Sequence, residues 1–76
     1  MMEIQEEKRQ VILYLNKNLY PPELVLQALG DFNKVCEGSL NEEKLILKPK
    51  GEMDLTYLGC EFSNYLIGLL NGGKKE

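Results

Sequence analysis

The chain has 76 residues, 28% of them charged and 43% hydrophobic, with a net charge of −3 and no histidine. This composition fits one folded domain, too small for a second core, rather than a disordered chain. The acidic balance argues against a general binder of nucleic acid or anionic membrane. The longest apolar run, Val11-Ile12-Leu13-Tyr14-Leu15, is far short of the ~20 residues that span a bilayer. The acidic start Met1-Met2-Glu3-Ile4-Gln5-Glu6-Glu7 lacks the apolar segment of a signal peptide. Cys36 and Cys60 do not make a disulfide framework, and without histidine they cannot complete a zinc site. The expectation is a cytoplasmic protein with reduced thiols and no metal or cofactor. A domain of this size buries only about 60–65% of its unfolded surface, and oligomerisation is the remaining support.

In chain order, residues 1–9 are expected to form a tail, residues 10–72 the single α/β domain, and residues 73–76 a frayed end. The first strand runs from Gln10 to Asn16. It is apolar on both faces, whereas a half-exposed strand alternates. Asn18-Leu19-Tyr20-Pro21-Pro22-Glu23 opens a helix, with proline tolerated in its first turn and Glu23 against the positive end of the dipole. Leu24, Val25, Ala28, Leu29 and Phe32 form its apolar stripe, and Leu26 falls outside it. A strand from Val35 to Leu40, a turn at Asn41-Glu42-Glu43 and a strand from Lys44 to Lys48 follow, ended by Pro49. Asp54 is a good N-cap for a second helix with Leu55, Leu58, Phe62, Leu66 and Leu69 on one line. Asn71-Gly72 reads as its stop.

The element order is therefore β-α-β-β-α. A right-handed crossover leaves room for the third strand between the first two. The predicted fold is α+β: a three-stranded antiparallel sheet in order 1-3-2, with two helices on one face, a ferredoxin-like arrangement lacking its last strand. The first strand lies at the open edge, where an uncovered strand is a liability. Edge pairing, or face-to-face packing over Ile12, Tyr14 and Ile46, follows as the expected partner contact, with Tyr20 and Tyr57 as further candidates.

Other features have plainer readings. Cys36 stands at core parity in a strand and Cys60 beside the second helix's stripe, so packing outweighs nucleophilic chemistry, which needs a neighbouring base. Glu6-Glu7 and Glu42-Glu43 lie on a tail and a turn, unlike acid–base pairs held in a cleft. Lys44, Lys48 and Lys50 make a basic strip, but Tyr14 is the only aromatic beside it, too few for an RNA-stacking sheet. Gly72-Gly73 stops a helix and is followed by Lys74-Lys75-Glu76, unlike a ubiquitin-type tail. Tyr57, Glu61, Asn64 and Gly68 line the solvent side of the second helix, a ridge that a partner could grip.

The opening Asn18-Leu19-Tyr20-Pro21-Pro22-Glu23, with Ala28 and Phe32 at helical spacing, resembles the helix opening of the small D proteins (HxsD) of His-Xaa-Ser repeat systems. Gly59-Cys60-Glu61-Phe62-Ser63-Asn64-Tyr65-Leu66 resembles that family's second helix, and the similarity covers roughly residues 10 to 70. That family is encoded with paired radical S-adenosylmethionine proteins and a repeat-bearing peptide. The resemblance implies an accessory role in peptide maturation and supplies no catalytic residues. The element order, with Asp54-Leu55 and Asn64-Tyr65-Leu66 in its last helix, is also similar to the small dimerising subunit of the KEOPS tRNA-modifying complex, a bridge without chemistry of its own. The leading expectation is a non-catalytic accessory module, a homodimer or a component of a complex that binds protein or peptide. The alternatives are a KEOPS-like scaffold and a small cysteine-using enzyme or metal-cluster protein.

Overall fold

A computed structural model describes residues 2–72. The chain folds as β1 (Met2–Gln5), β2 (Gln10–Tyr14), α1 (Pro22–Asp31), β3 (Cys36–Asn41), β4 (Lys44–Pro49) and α2 (Leu55–Leu70). The four strands form one antiparallel sheet in the order β1-β2-β4-β3. No helix among the described residues is long and apolar enough to cross a membrane. The expected frayed end at residues 73–76 lies outside the described residues.

Two sequence expectations are corrected. The sheet has four strands rather than three, and residues 2–5 form a strand rather than a tail. The reason is visible in Met2-Glu3-Ile4-Gln5, which alternates as a half-exposed strand should. The polar turn Glu6-Glu7-Lys8-Arg9 returns the chain, with Arg9 at φ 52° and its N–H bonded to the Glu6 carbonyl at 3.1 Å. The Arg9 guanidinium then donates to the Met53 carbonyl at 3.0 Å, tying this turn to the loop before α2. The predicted neighbours survive, since the strands expected in order 1-3-2 are β2, β4 and β3. The strand expected at the margin is therefore interior, held by β1 on one side and β4 on the other.

Both helices pack on one face of the sheet. Strand parity sends Val11, Leu13, Leu45, Leu47 and Cys36 to that face, where they meet Val25, Ala28, Leu55, Leu58, Phe62 and Leu66. Local signals set the helix ends. Pro22 starts α1 at the position where a missing N–H is harmless. The Asp54 carboxylate accepts the Tyr57 N–H at 2.9 Å, and Gly72 at φ 105° follows the end of α2. Two glycines allow close approach. A Cβ at Gly38 of β3 would strike the Leu29 side chain of α1, and one at Gly59 of α2 would strike Met2 and stand 3.1 Å from Val11 Cγ1.

The topology contains a repeat that the sequence does not display. Each half is a hairpin followed by a helix, and the halves join along β2–β4. The helices are partly exchanged: α1 of the first half lies over β3, while α2 of the second lies chiefly over β2, with β1 and β4 touched equally on either side. Phe32, at the end of α1, meets Phe62 edge-on at 5.1 Å and Tyr65 at 5.4 Å. The Tyr65 hydroxyl donates to Asp31, locking the helix pair.

Removing residues 1–7 is expected to lower unfolding free energy by about 2–4 kcal/mol, because the Met2 and Ile4 contacts are lost and β2 becomes an edge. Denaturant unfolding measures this. An unchanged midpoint would show that β1 adds nothing to the fold.

Candidate partner-binding site on the open sheet face

Among the described residues, no helix lies over the second face of the sheet. Its residues follow from the registers: Glu3 and Gln5 from β1, Gln10, Ile12 and Tyr14 from β2, Lys44, Ile46 and Lys48 from β4, and Glu37, Ser39 and Asn41 from β3. The central row across the sheet is Glu3, Ile12, Ile46, Ser39. Ile12 and Ile46 are thus direct cross-strand neighbours, and Tyr14 stands two residues along β2 opposite Lys44.

Ile12 is only 3% exposed even though no helix of the described residues lies above it. Its neighbours on the face are long: Glu3 and Ile46 across the sheet, Gln10 and Tyr14 along the strand. These side chains are tied down. The Tyr14 hydroxyl donates to Glu3 at 3.3 Å, Gln10 Nε2 donates to Gln5, and Gln5 Nε2 donates to Glu3 at 3.0 Å. Partial desolvation, with the Glu3 carboxylate beside it, pushes the Tyr14 phenol up from its ordinary pKa. The expectation that Ile12 needs a partner to cover it is therefore corrected: the sheet's own polar side chains cover it.

The same row ends differently at β3. Ser39 is too short to shade Ile46, which stays half-buried. A shallow depression of about 350 Å³ opens there, lined by Ile46 with Gln10, Glu37, Gly38, Ser39 and Lys48. Lys48 stands opposite Glu37, which interrupts the predicted basic strip, and Lys50 lies beyond the strand. The depression thus offers an apolar floor, one cation, one carboxylate and neutral hydrogen-bonding groups.

Of the five candidate residues, Ile12, Tyr14 and Ile46 come together on this face. Tyr20 packs against the helix-side core and Tyr57 is on the first turn of α2, so neither joins them. Sequence reading missed Glu3 and Gln5, for which the alternation of residues 2–5 was the available signal, and the rim residues Gln10, Glu37 and Ser39, which only the registers assemble. Glu43 is exposed in its turn, as read, and its carboxylate also accepts the Lys17 backbone N–H at 3.0 Å, closing the loop after β2.

Both cysteines are free, Cys36 buried and Cys60 exposed on α2. Burial pushes the Cys36 thiol up, only partly offset by Lys50. Among the described residues no three His, Cys, Asp or Glu side chains gather where they could hold a metal ion. No protein-family model, curated protein or solved structure matches the chain.

In the native protein one thiol, Cys60, is expected to react at once with a chromogenic disulfide, and Cys36 only after denaturation. Since the folded state raises the Cys36 pKa, its contribution to stability is complete below the unfolded value and falls as pH rises through the folded one. Rapid modification of both thiols in folded protein would contradict this.

Proposed function

We propose that the chain is a non-catalytic binding module that docks a protein or peptide partner on its open sheet face. The observation that supports this most is the depression over Ile46: an apolar floor beside the β3 edge, bounded by Glu37, Ser39, Gln10 and Lys48. The edge matters because β3 is paired only with β4, and its outer backbone groups can accept a further strand. An extended peptide added along Cys36–Asn41 would place every second side chain on the Ile46 side. This moves the proposed edge contact from β2 to β3. Tyr14 and Ile12 then form the stiff, hydrogen-bonded flank of the site, and Ile46 its contact centre.

The resemblance to HxsD-like proteins suggests the setting, an accessory part in a peptide-modification system. A peptide partner suits both that setting and a strand-adding edge. The polar, mixed-charge rim suits a partner with uncharged or paired side chains better than a polyanion.

The test is affinity capture from a lysate of the source cells, followed by hydrogen exchange on the recovered complex. Ile46→Glu is expected to abolish capture while the far-ultraviolet spectrum keeps its folded form, because partly buried Ile46 lies on the sheet face away from both helices. Protection in the complex should fall on residues 36–41. Capture that survives Ile46→Glu, or protection confined to the helices, would overturn the reading.

A further inference from the structure

The β3 edge and the helix above it form a groove with two unsatisfied walls. The hydrogen bonds fix which backbone groups of β3 face outward. The Leu15 N–H donates to the Glu43 carbonyl, and the Lys50 N–H donates to the Val35 carbonyl. The N–H and C=O of one strand residue point the same way, and that direction alternates along the strand. Leu45 and Leu47 therefore face β2, and Lys44, Ile46 and Lys48 face β3. Glu37, Ser39 and Asn41 face β4 in return, which leaves Gly38 and Leu40 with both backbone groups turned outward. The Cys36 N–H is already bonded to the Phe32 carbonyl. Among the described residues, no side chain bonds to the backbone of Gly38 or Leu40.

The second wall is α1, which among the described residues touches β3 and no other strand. Asp31 marks the side of α1 toward α2, since it accepts the Tyr65 hydroxyl. Leu29 marks the underside by its close approach to Gly38. At about 100° per residue, Leu26 falls beside Leu29 on the flank turned away from α2. Because α1 ends at Phe32 beside Cys36, Leu26 also lies farther along β3, toward Leu40. It is 56% exposed. An exposed leucine thus overhangs the stretch of edge whose backbone is unpaired.

We infer that this groove takes one extended segment of a partner protein, antiparallel to β3, with apolar side chains at alternate positions beneath α1. The inference rests on the strand-adding part of the reading above and names the side chains selected there. Partner residues opposite Gly38 and Leu40 exchange backbone bonds with them and, by strand parity, turn their side chains toward Leu29 and Leu26. Geometry rules out β3 of a second copy as the occupant. Paired strands lie about 4.8 Å apart, whereas packed helices need about 8–10 Å, and each copy would bring its own α1 over the junction. A segment without a helix layer of its own meets no such clash. Charge at the two ends adds a direction. Lys34 and Lys50 stand at the Cys36 end and Glu42 at the Asn41 end. An antiparallel segment is favoured when its amino end carries a cation and its carboxyl end a carboxylate.

Titration of the full chain with a short capped peptide, followed by NMR, tests this. The probe carries leucine at alternate positions and threonine between them, with lysine at its amino end and aspartate at its carboxyl end. Shifts are expected at the Gly38 and Leu40 amides and the Leu26 and Leu29 methyls. Leu26→Glu and the uncharged Leu26→Gln should each weaken binding about tenfold or more, with the far-ultraviolet spectrum unchanged. The same peptide N-methylated at its leucines should not bind. Binding indifferent to both Leu26 variants overturns the inference, as do equal binding of the N-methylated peptide, shifts centred on β1, or no shift at millimolar peptide. Self-association that the peptide disperses would put another copy on the edge and overturn it too. Partner capture lost to Ile46→Glu but unaffected by Leu26→Glu would remove this inference and leave the sheet-face reading standing. Capture that survives Ile46→Glu, with peptide binding still sensitive to Leu26, would do the reverse.

Discussion

The pairing of β2 on both its sides is the interaction on which the rest of the structure depends. This strand is apolar toward the helices and apolar at Ile12 on the other face, so it needs covering in every direction. β1 and β4 satisfy its backbone, Leu55, Phe62 and their neighbours cover the helix side, and the tied side chains of Glu3, Gln10 and Tyr14 surround Ile12. Burial here depends on anchored polar side chains as much as on apolar ones. Tyr14 illustrates the device, since its ring is available to shade carbon while its hydroxyl reaches a carboxylate.

Much of this fold was legible because local chemistry marks it. Pro21-Pro22, Asp54 and Asn71-Gly72 carry their helix ends in their own side chains or backbone preferences. The β3–β4 hairpin is bounded by Glu42 at φ 58° and by the shift from charged to apolar residues after Lys44. The missing strand is a case of weighting: Met2-Glu3-Ile4-Gln5 has the right period, but four residues beside an acidic turn also read as a tail. The burial of Ile12 was not legible in principle. Residue type says that isoleucine seeks cover, whereas register and rotamer decide which neighbours supply it. The depression over Ile46 belongs to the same class, for it exists only because Ser39, some residues earlier in the chain, is delivered beside it across the sheet.

The two unroofed surfaces differ in what they could recognise. The sheet face is a mixed-charge plane with one apolar gap beside an unpaired edge, suited to an extended segment. The outward side of α2 sets Tyr57, Asn64 and Ile67 beside the exposed carboxylate of Glu61.

The exchanged helices have a consequence for how the molecule comes apart. α1 springs from the first hairpin but lies over β3 of the second, and α2 lies chiefly over β2 of the first, so melting either half uncovers part of the other. Cooperativity is thereby imposed by connectivity in a chain too small to secure it by bulk. Amides along the β2–β4 seam should exchange only through whole-molecule opening, while the outermost strands fray beneath that limit. The hairpins close over short spans of chain and the seam over a span of about thirty residues, which makes seam closure the entropically costly step of folding.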